Sequence, residues 1–523
     1  MASSDLPTLA TAVARGMTVS WHAAQTPDRL AVNSDKGERT FGELNAQANR
    51  LVRVLRGAGL RAGDGVALLC PNRPEFVETV TACQRAGFRL TPINWHLKPD
   101  EIAYIVNDCE AGALIADLRL ADAARAAAEA AQMLRIKLAI GGAILGFASY
   151  DALLAREAGN DIDDPVPGSQ MLYTSGTTGR PKGVYRGSAP VASPLFAKMV
   201  ETARFGEGDS ALVTGPLYHA APLSLNLTLP LAHGVGTVLM DKWDAEETLR
   251  LIHEHKATHM HVVPTMLHRI LALPREVRER YDISTMRWIL HGAAPCPVHV
   301  KRRMIEWLGP VVYEYYGATE GGGVFIHPHE WLEKPGSVGR PVPGVVMRIL
   351  DDGGEEVPAG KVGTVYFKAP EIGRFEYFKA PEKTASVYRG DFFTMGDLGY
   401  LDDDGFLHLT GRSAELIISG GVNIYPAEID QEILQHPAVK DVATVGIPHE
   451  EWGEEVKAVV LLNEGYEPTD ELARDILNFA GDRLASYKRP RSVDFAPDLP
   501  RLPTGKIVRR IVRDRYWRSD KQI

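Results

Sequence analysis

Strand and helix signals alternate along the first part of this chain, and that alternation restricts it to few architectures. Leu44, Ala48, Leu51 and Leu55 recur at helical spacing within FGELNAQANRLVRVLRGAG. Thr40 is positioned to cap that helix, and Gly57 or Gly59 to end it. VALLC (66–70) reads as a buried strand, PEFVETVTACQRAG as a helix and FRLTPIN as a further strand. The pattern returns in THMHVVP followed by TMLHRILALP, and in MRWIL followed by a helix opening near Pro297. Repeated strand–helix units predict an α/β fold of layered, largely parallel sheets.

The pattern changes near residue 340. SVGRPVPGVVMRILDDGGEEVPAGKVGTVYFKA alternates apolar and polar residues and contains turn pairs, so it reads as β-rich. GYLDDDGFLHLTGR (399–412) reads as a hairpin, with Asp402–Asp404 as its solvated turn. Beyond Arg412, NIYPAEIDQEILQHP and TDELARDILNFAGDRLA carry helix signals, and VKDVATVGIP and EVKAVVLL carry strand signals. A chain of 523 residues is too long for one core of ordinary size. The expected organisation is a large N-terminal domain of layered α/β sheets over 1–411. It includes a β-rich subdomain over about 336–411. A small mobile α+β C-terminal domain follows over 412–523, with a hinge at 412–415.

The hydrophobic fraction of 45% and the charged fraction of 24% fit a soluble globular protein. A formal net charge of -9 argues against nonspecific nucleic-acid binding, which needs a basic surface. No apolar run reaches the roughly 18 residues needed to cross a bilayer. MASSDLPTLATAVARG lacks the basic start and apolar run of a secretory signal. Cys70, Cys83, Cys109 and Cys296 lie far apart and read as reduced thiols. A cytoplasmic protein is expected, with peripheral membrane contact and a homodimer both left open.

YTSGTTGRPKGV (173–184) combines glycines, hydroxyls and two basic residues in a way that suits neither a helix nor a buried strand. Gly176 and Gly179 bracket Thr177 and Thr178, and Lys182 follows. Glycines let backbone N–H groups turn toward an anion, hydroxyls add donors, and a lysine adds a point charge suited to phosphate. On spacing alone, a mobile surface loop is the alternative. In HEHKATHMH, His253, His255, His259 and His261 form two H-x-H pairs. Without a cysteine or carboxylate partner, structural histidines are favoured over a metal site.

YTSGTTGRPKGV resembles the signature of the adenylate-forming superfamily, which includes acyl-CoA synthetases and firefly luciferase. PLYH (216–219), HGAAP (291–295), YYGATE (315–320), GDLGYLDDDGFLHLTGR (396–412), ISGGVNIYPAEI (418–429) and PTGK (503–506) match its further motifs in order. The resemblance spans almost the whole chain and is closest to the acyl-CoA synthetase branch. It implies ATP, Mg²⁺ and coenzyme A (CoA), and a carboxylic acid that is adenylated and then passed to a thiol.

The resemblance also implies residue roles. Ser175, Gly176, Thr177, Thr178 and Gly179, with Lys182, would cradle the β- and γ-phosphates, and Thr174 is a further ATP/AMP-binding residue. Tyr316 would stack on the adenine against Gly292, Ala293 and Ala294, and Glu314, Tyr315 and Gly317 are further ATP/AMP-binding residues that the resemblance implies. Thr319 would donate to the α-phosphate and Glu320 would ligate Mg²⁺. Asp397 would accept from the ribose hydroxyls, and Arg412 would contact the nucleotide at the domain junction. Lys506 would neutralise charge developing during adenylation. His219 would gate the acyl site, and Ser419, Gly420 and Gly421 would line the path of CoA.

Bland readings exist for these residues: a helix-start Thr–Glu pair, a tight GAAP turn, surface charges at Asp397 and Arg412, one lysine in a basic tail, and a structural histidine. The joint occurrence of the motifs outweighs them. Ala414 departs from the family pattern, whose hinge position usually carries Asp or Lys. Tyr315 stands where many relatives have glycine, beside the expected acyl pocket, and Gly321–Gly323 leave room there. A medium- or long-chain fatty acid, or a bulky hydrophobic acid, is expected. The alternatives are loading of a carrier protein and a catalytically impaired nucleotide sensor.

Overall fold

Thr40 caps the helix Phe41–Gly57 through its hydroxyl, and Glu43 closes a reciprocal capping box. The face bearing Leu44, Ala48, Leu51 and Leu55 is completely buried. Each buried leucine contributes about 2 kcal/mol of hydrophobic stabilisation. The computed structural model describes residues 8–174, 181–187, 193–412, 415–419, 422–449, 452–502, 505 and 507–517. Among these residues no helix is long and apolar enough to cross a membrane, and all four cysteines are free and buried.

A six-stranded parallel sheet runs in the order Ala148–Ser149, Ile136–Ile140, Ala111–Asp117, Gly65–Leu69, Arg89–Pro92, Ser169–Gln170. Its central strand, Gly65–Leu69, is buried at every position. That is why VALLC reads as a continuous apolar run rather than an alternating one.

A nine-stranded sheet positions the site. Leu30–Ser34, Gly236–Leu239, Ser210–Val213, His259–Val262, Trp288–His291 and Val312–Ala318 lie side by side and parallel. Antiparallel strands close both edges. Helices Pro264–Ala272 and Val298–Leu308 connect successive parallel strands. Four neighbouring strands therefore end on the same edge, where a doubly wound sheet binds ligands. The segments that leave those ends are 214–219, 263–265, 292–295 and 319–320.

The β-rich region forms a five-stranded sheet in which Phe392–Leu401 pairs antiparallel with Gly363–Lys368 and Leu407–Arg412. The expected hairpin at 399–412 is present, and Lys334 bridges to Asp402 and Asp404 at its turn. A separate five-stranded sheet follows, built on the long hairpin Val439–His449 and Gly453–Leu462. Helices Pro426–Ile433 and Asp470–Gly481 help cover it.

One local expectation is corrected. The two ends of YTSGTTGRPKGV are strands, Leu172–Thr174 and Lys182–Tyr185, paired antiparallel with Thr174 opposite Lys182. Leu172 and Val184 are buried and supply the apolar contacts that a Gly/Thr-rich composition obscures. Ser175, Gly176, Thr177, Thr178 and Gly179 lie outside the described residues, as do Ala414, Gly420, Gly421 and Lys506.

Candidate active site

The strand Trp288–His291 leads into Gly292, Ala293 and Ala294. A Cβ on Gly292 would fall 2.6 Å from the Tyr315 ring, so glycine is required by close approach. Ala293 has φ 69°, in the left-handed region that a residue with a Cβ enters at a cost. The turn is thus shaped by contact rather than by local preference.

Strand alternation sends Tyr315 to the face opposite Glu314 and Tyr316. The Glu314 carboxylate is 2.5 Å from Lys301 Nζ, with Lys301 fully buried. The Tyr315 hydroxyl lies 3.2 Å from His261 Nε2, and both residues are buried. Both side chains expected beside the nucleotide are therefore turned into the protein. Tyr316 differs: its hydroxyl donates to Asp397 Oδ2 at 2.7 Å. Arg412 Nε lies 3.0 Å from Asp397 Oδ1. These three residues, far apart in sequence, form one cluster.

Val312–Ala318 and Gly321–Ile326 form a hairpin whose two-residue turn is Thr319–Glu320, with Gly317 near its tip. The Tyr377 hydroxyl donates to Glu320 Oε1 at 3.0 Å. Tyr377 belongs to Glu376–Tyr377, which pairs with Lys182–Tyr185. Lys182 Nζ lies 5.7 Å from the centre of the Tyr377 ring. Burial lowers the Lys182 pKa, nearby Lys383 lowers it further, and Glu320 opposes both. Two cations and the Glu320 carboxylate are thus close enough to act on one another electrostatically. Among the described residues, no group of three His, Cys, Asp or Glu side chains is arranged to hold a metal.

His219 follows the strand Ser210–Val213. Its Nε2 is buried and has no hydrogen-bond partner among the described residues. Burial pushes its pKa down to about 4, and His96 adds to the shift. The ring is neutral at physiological pH. His259 and His261, the strand half of the histidine run, are likewise buried, against Ala203 and Tyr315.

A cleft in the C-terminal sheet region includes Ser419, expected on the CoA path, and further residues that sequence reasoning missed. About 890 Å³ in volume, it is lined by Ser419, Val422, Trp452, Tyr487, Arg489 and Arg491 among others. Arg491 lies over the Trp452 ring at 4.6 Å. The run YKRPR was the available signal.

Residues 19–375 match the family described as AMP-binding enzyme, and residues 428–506 match the AMP-binding enzyme C-terminal domain. The chain belongs to the adenylate-forming superfamily. A feruloyl-CoA synthase from Amycolatopsis sp is 34% identical to this enzyme over 95% of the chain and 98% of the relative. A fatty acid–[acyl-carrier-protein] ligase from Streptomyces coeruleorubidus is 32% identical, with 96% of each chain covered. The structure of the anthranilate CoA ligase AuaEII with anthranoyl-AMP superimposes with a TM-score of 0.87, at 28% identity and 99% coverage of both chains. The enzyme is an ATP-dependent acyl-CoA ligase.

Proposed function

We propose that the enzyme activates a hydrophobic carboxylic acid, a medium- or long-chain fatty acid or an acid with a bulky side group, and transfers it to CoA. In the first step a carboxylate oxygen attacks the α-phosphorus of ATP, the bond to the pyrophosphate oxygen breaks, and pyrophosphate leaves. In the second step the CoA thiolate attacks the acyl carbon and AMP leaves. The observation that carries this reading is the convergence of four parallel strand ends on one edge, beside the Tyr316–Asp397–Arg412 cluster.

Asp397 accepts from the ribose diol, since each carboxylate oxygen retains acceptor capacity beyond its protein partner. Lys182 and the loop 175–180 hold the β- and γ-phosphates. Glu320 fits a hard divalent cation: it offers carboxylate oxygens, Tyr377 already orients one of them, and among the described residues no basic side chain forms an ion pair with it. Magnesium, when bound there, offsets the triphosphate charge that would repel an incoming carboxylate. Neutral His219 screens the acyl site without adding charge.

Lys506 neutralises charge at the reacting oxygens. The packing of its neighbour Gly505 against Thr265, just beyond the strand His259–Val262, supports this role. The small domain then swings about the hinge near Ala414 to bring Ser419, Gly420 and Gly421 to the acyl-adenylate. The cleft with Trp452, Tyr487, Arg489 and Arg491 offers aromatic faces and cations to the CoA nucleotide.

Pyrophosphate release, measured with a panel of acids with and without CoA, tests the reading. Release limited to about one enzyme equivalent without CoA and sustained turnover with it are expected. Sustained turnover only with a phosphopantetheinylated carrier protein favours the second reading, which the Streptomyces coeruleorubidus relative supports. No release with any hydrophobic acid would contradict the proposed substrate class.

A further inference from the structure

Arg186 follows the strand Lys182–Tyr185, and its side chain bonds to two loops. Its Nη2 donates to the Glu320 carbonyl, and its Nη1 donates to the Gly373 carbonyl at 3.1 Å. The guanidinium carbon lies 5.8 Å from the centre of the Phe375 ring. A rigid fork of donors can join two loops in this way; a lysine cannot reproduce it.

The turn that Arg186 grips is tight. Gly321 has φ 137°, and a Cβ there would come 2.8 Å from the Phe393 ring and 3.3 Å from the Arg186 guanidinium. The Glu320 backbone is thus fixed by Arg186, and its carboxylate is fixed by the Tyr377 hydroxyl at 3.0 Å. Both holders hang from one strand: Arg186 follows Lys182–Tyr185, and Tyr377 pairs with Val184. That same strand begins with Lys182. The acidic turn and the return arm of the phosphate loop are therefore joined into one unit.

We propose that Arg186 and Tyr377 are positioning residues that aim the Glu320 carboxylate at a divalent cation held with the nucleotide triphosphate. The proposal rests on the reading of Glu320 as the metal ligand given above. A role confined to bracing loops would lower stability without changing how the metal is held.

The test uses the full-length enzyme with α,β-methylene-ATP, with Mn²⁺ binding followed by electron paramagnetic resonance. Arg186→Met is expected to weaken Mn²⁺ binding by about tenfold, the scale of one lost charged hydrogen bond, and Tyr377→Phe by about fivefold. Arg186→Lys falls between Arg186→Met and wild type. The KM for the acid stays within about twofold of wild type in all three, because these contacts act on the Glu320 turn. Wild-type Mn²⁺ affinity in both Arg186→Met and Tyr377→Phe overturns the proposal. If Arg186→Met fails to fold, Tyr377→Phe decides, since it removes one oxygen and keeps the ring. Glu320→Gln separates the two levels of inference. Lost Mn²⁺ binding in Glu320→Gln alone keeps the metal reading and rejects the positioning role. Unchanged binding in Glu320→Gln rejects both.

Discussion

Asp397 and Arg412 sit opposite each other on adjacent antiparallel strands, with Arg412 Nε 3.0 Å from one carboxylate oxygen and the Tyr316 hydroxyl 2.7 Å from the other. The carboxylate is therefore locked in orientation before any ribose arrives. Asp397→Asn is expected to raise the KM for ATP by about tenfold or more, since hydrogen bonds to a charged partner are worth about 1.5–3 kcal/mol. The KM for the acid should stay within about twofold. Steady-state kinetics with each substrate varied checks this, and an equal rise in both constants would assign Asp397 a general structural role.

Gly292 and Tyr315 are expected to be coupled. A methyl on Gly292 would meet the Tyr315 ring at 2.6 Å, so Gly292→Ala should destabilise the enzyme by about 1–3 kcal/mol. Tyr315→Ala removes the ring and leaves the Tyr315 carbonyl oxygen, 2.9 Å from the added Cβ, as the remaining close contact. In the double variant the Gly292→Ala penalty should shrink by at least about 1 kcal/mol, as contacting residues do in a double-mutant cycle. Urea denaturation of the four proteins measures it. Additive penalties would mean that the ring is not what excludes a side chain at position 292.

Burial holds the His261 pKa down to about 3, well below the ordinary histidine value of about 6.5. The folded protein therefore keeps this histidine neutral where the unfolded chain would protonate it. The sign follows: the unfolded state binds the extra proton between these values, so stability falls as pH drops below about 6.5. From pH 7.5 to 5.5 the loss attributable to His261 is about 1.4 kcal/mol. His261→Gln should show a pH-dependent loss smaller by about that amount. An unchanged pH slope would contradict the assignment.

Lys506→Ala is expected to abolish acyl-adenylate formation while leaving thioester formation from supplied acyl-adenylate largely intact. Trp452→Ala and Arg491→Ala should do the reverse, raising the KM for CoA by about tenfold, the scale of a lost base–aromatic stack. Separate assays of the two half-reactions distinguish these variants. A Trp452→Ala enzyme with normal CoA kinetics would remove the cleft from the CoA path.

The parts legible in the sequence were those written in contiguous residues. The Thr40 cap and the apolar face behind it required only local sequence, whereas the reciprocal bond from Glu43 emerged with the structure. The catalytic motifs were recognisable as strings, yet a string does not say which way a side chain points. Glu314 and Tyr315 stand in the YYGATE neighbourhood, but one is consumed by buried Lys301 and the other by His261. Arg186 was invisible because its partners, Glu320 and Gly373, are distant in sequence and offer only backbone carbonyls. Trp452 and Arg491 meet only once Ser492–Phe495 has paired with Gly453–Leu462. Contacts of this kind leave no periodicity to read.

The most direct measurement is the identity of the nucleotide product when enzyme, ATP, magnesium and a hydrophobic acid are mixed without CoA. The account predicts AMP covalently joined to the acid, recovered by mass spectrometry in an amount close to that of the enzyme, together with free pyrophosphate. ADP and inorganic phosphate, formed in an acid-dependent reaction, would contradict it.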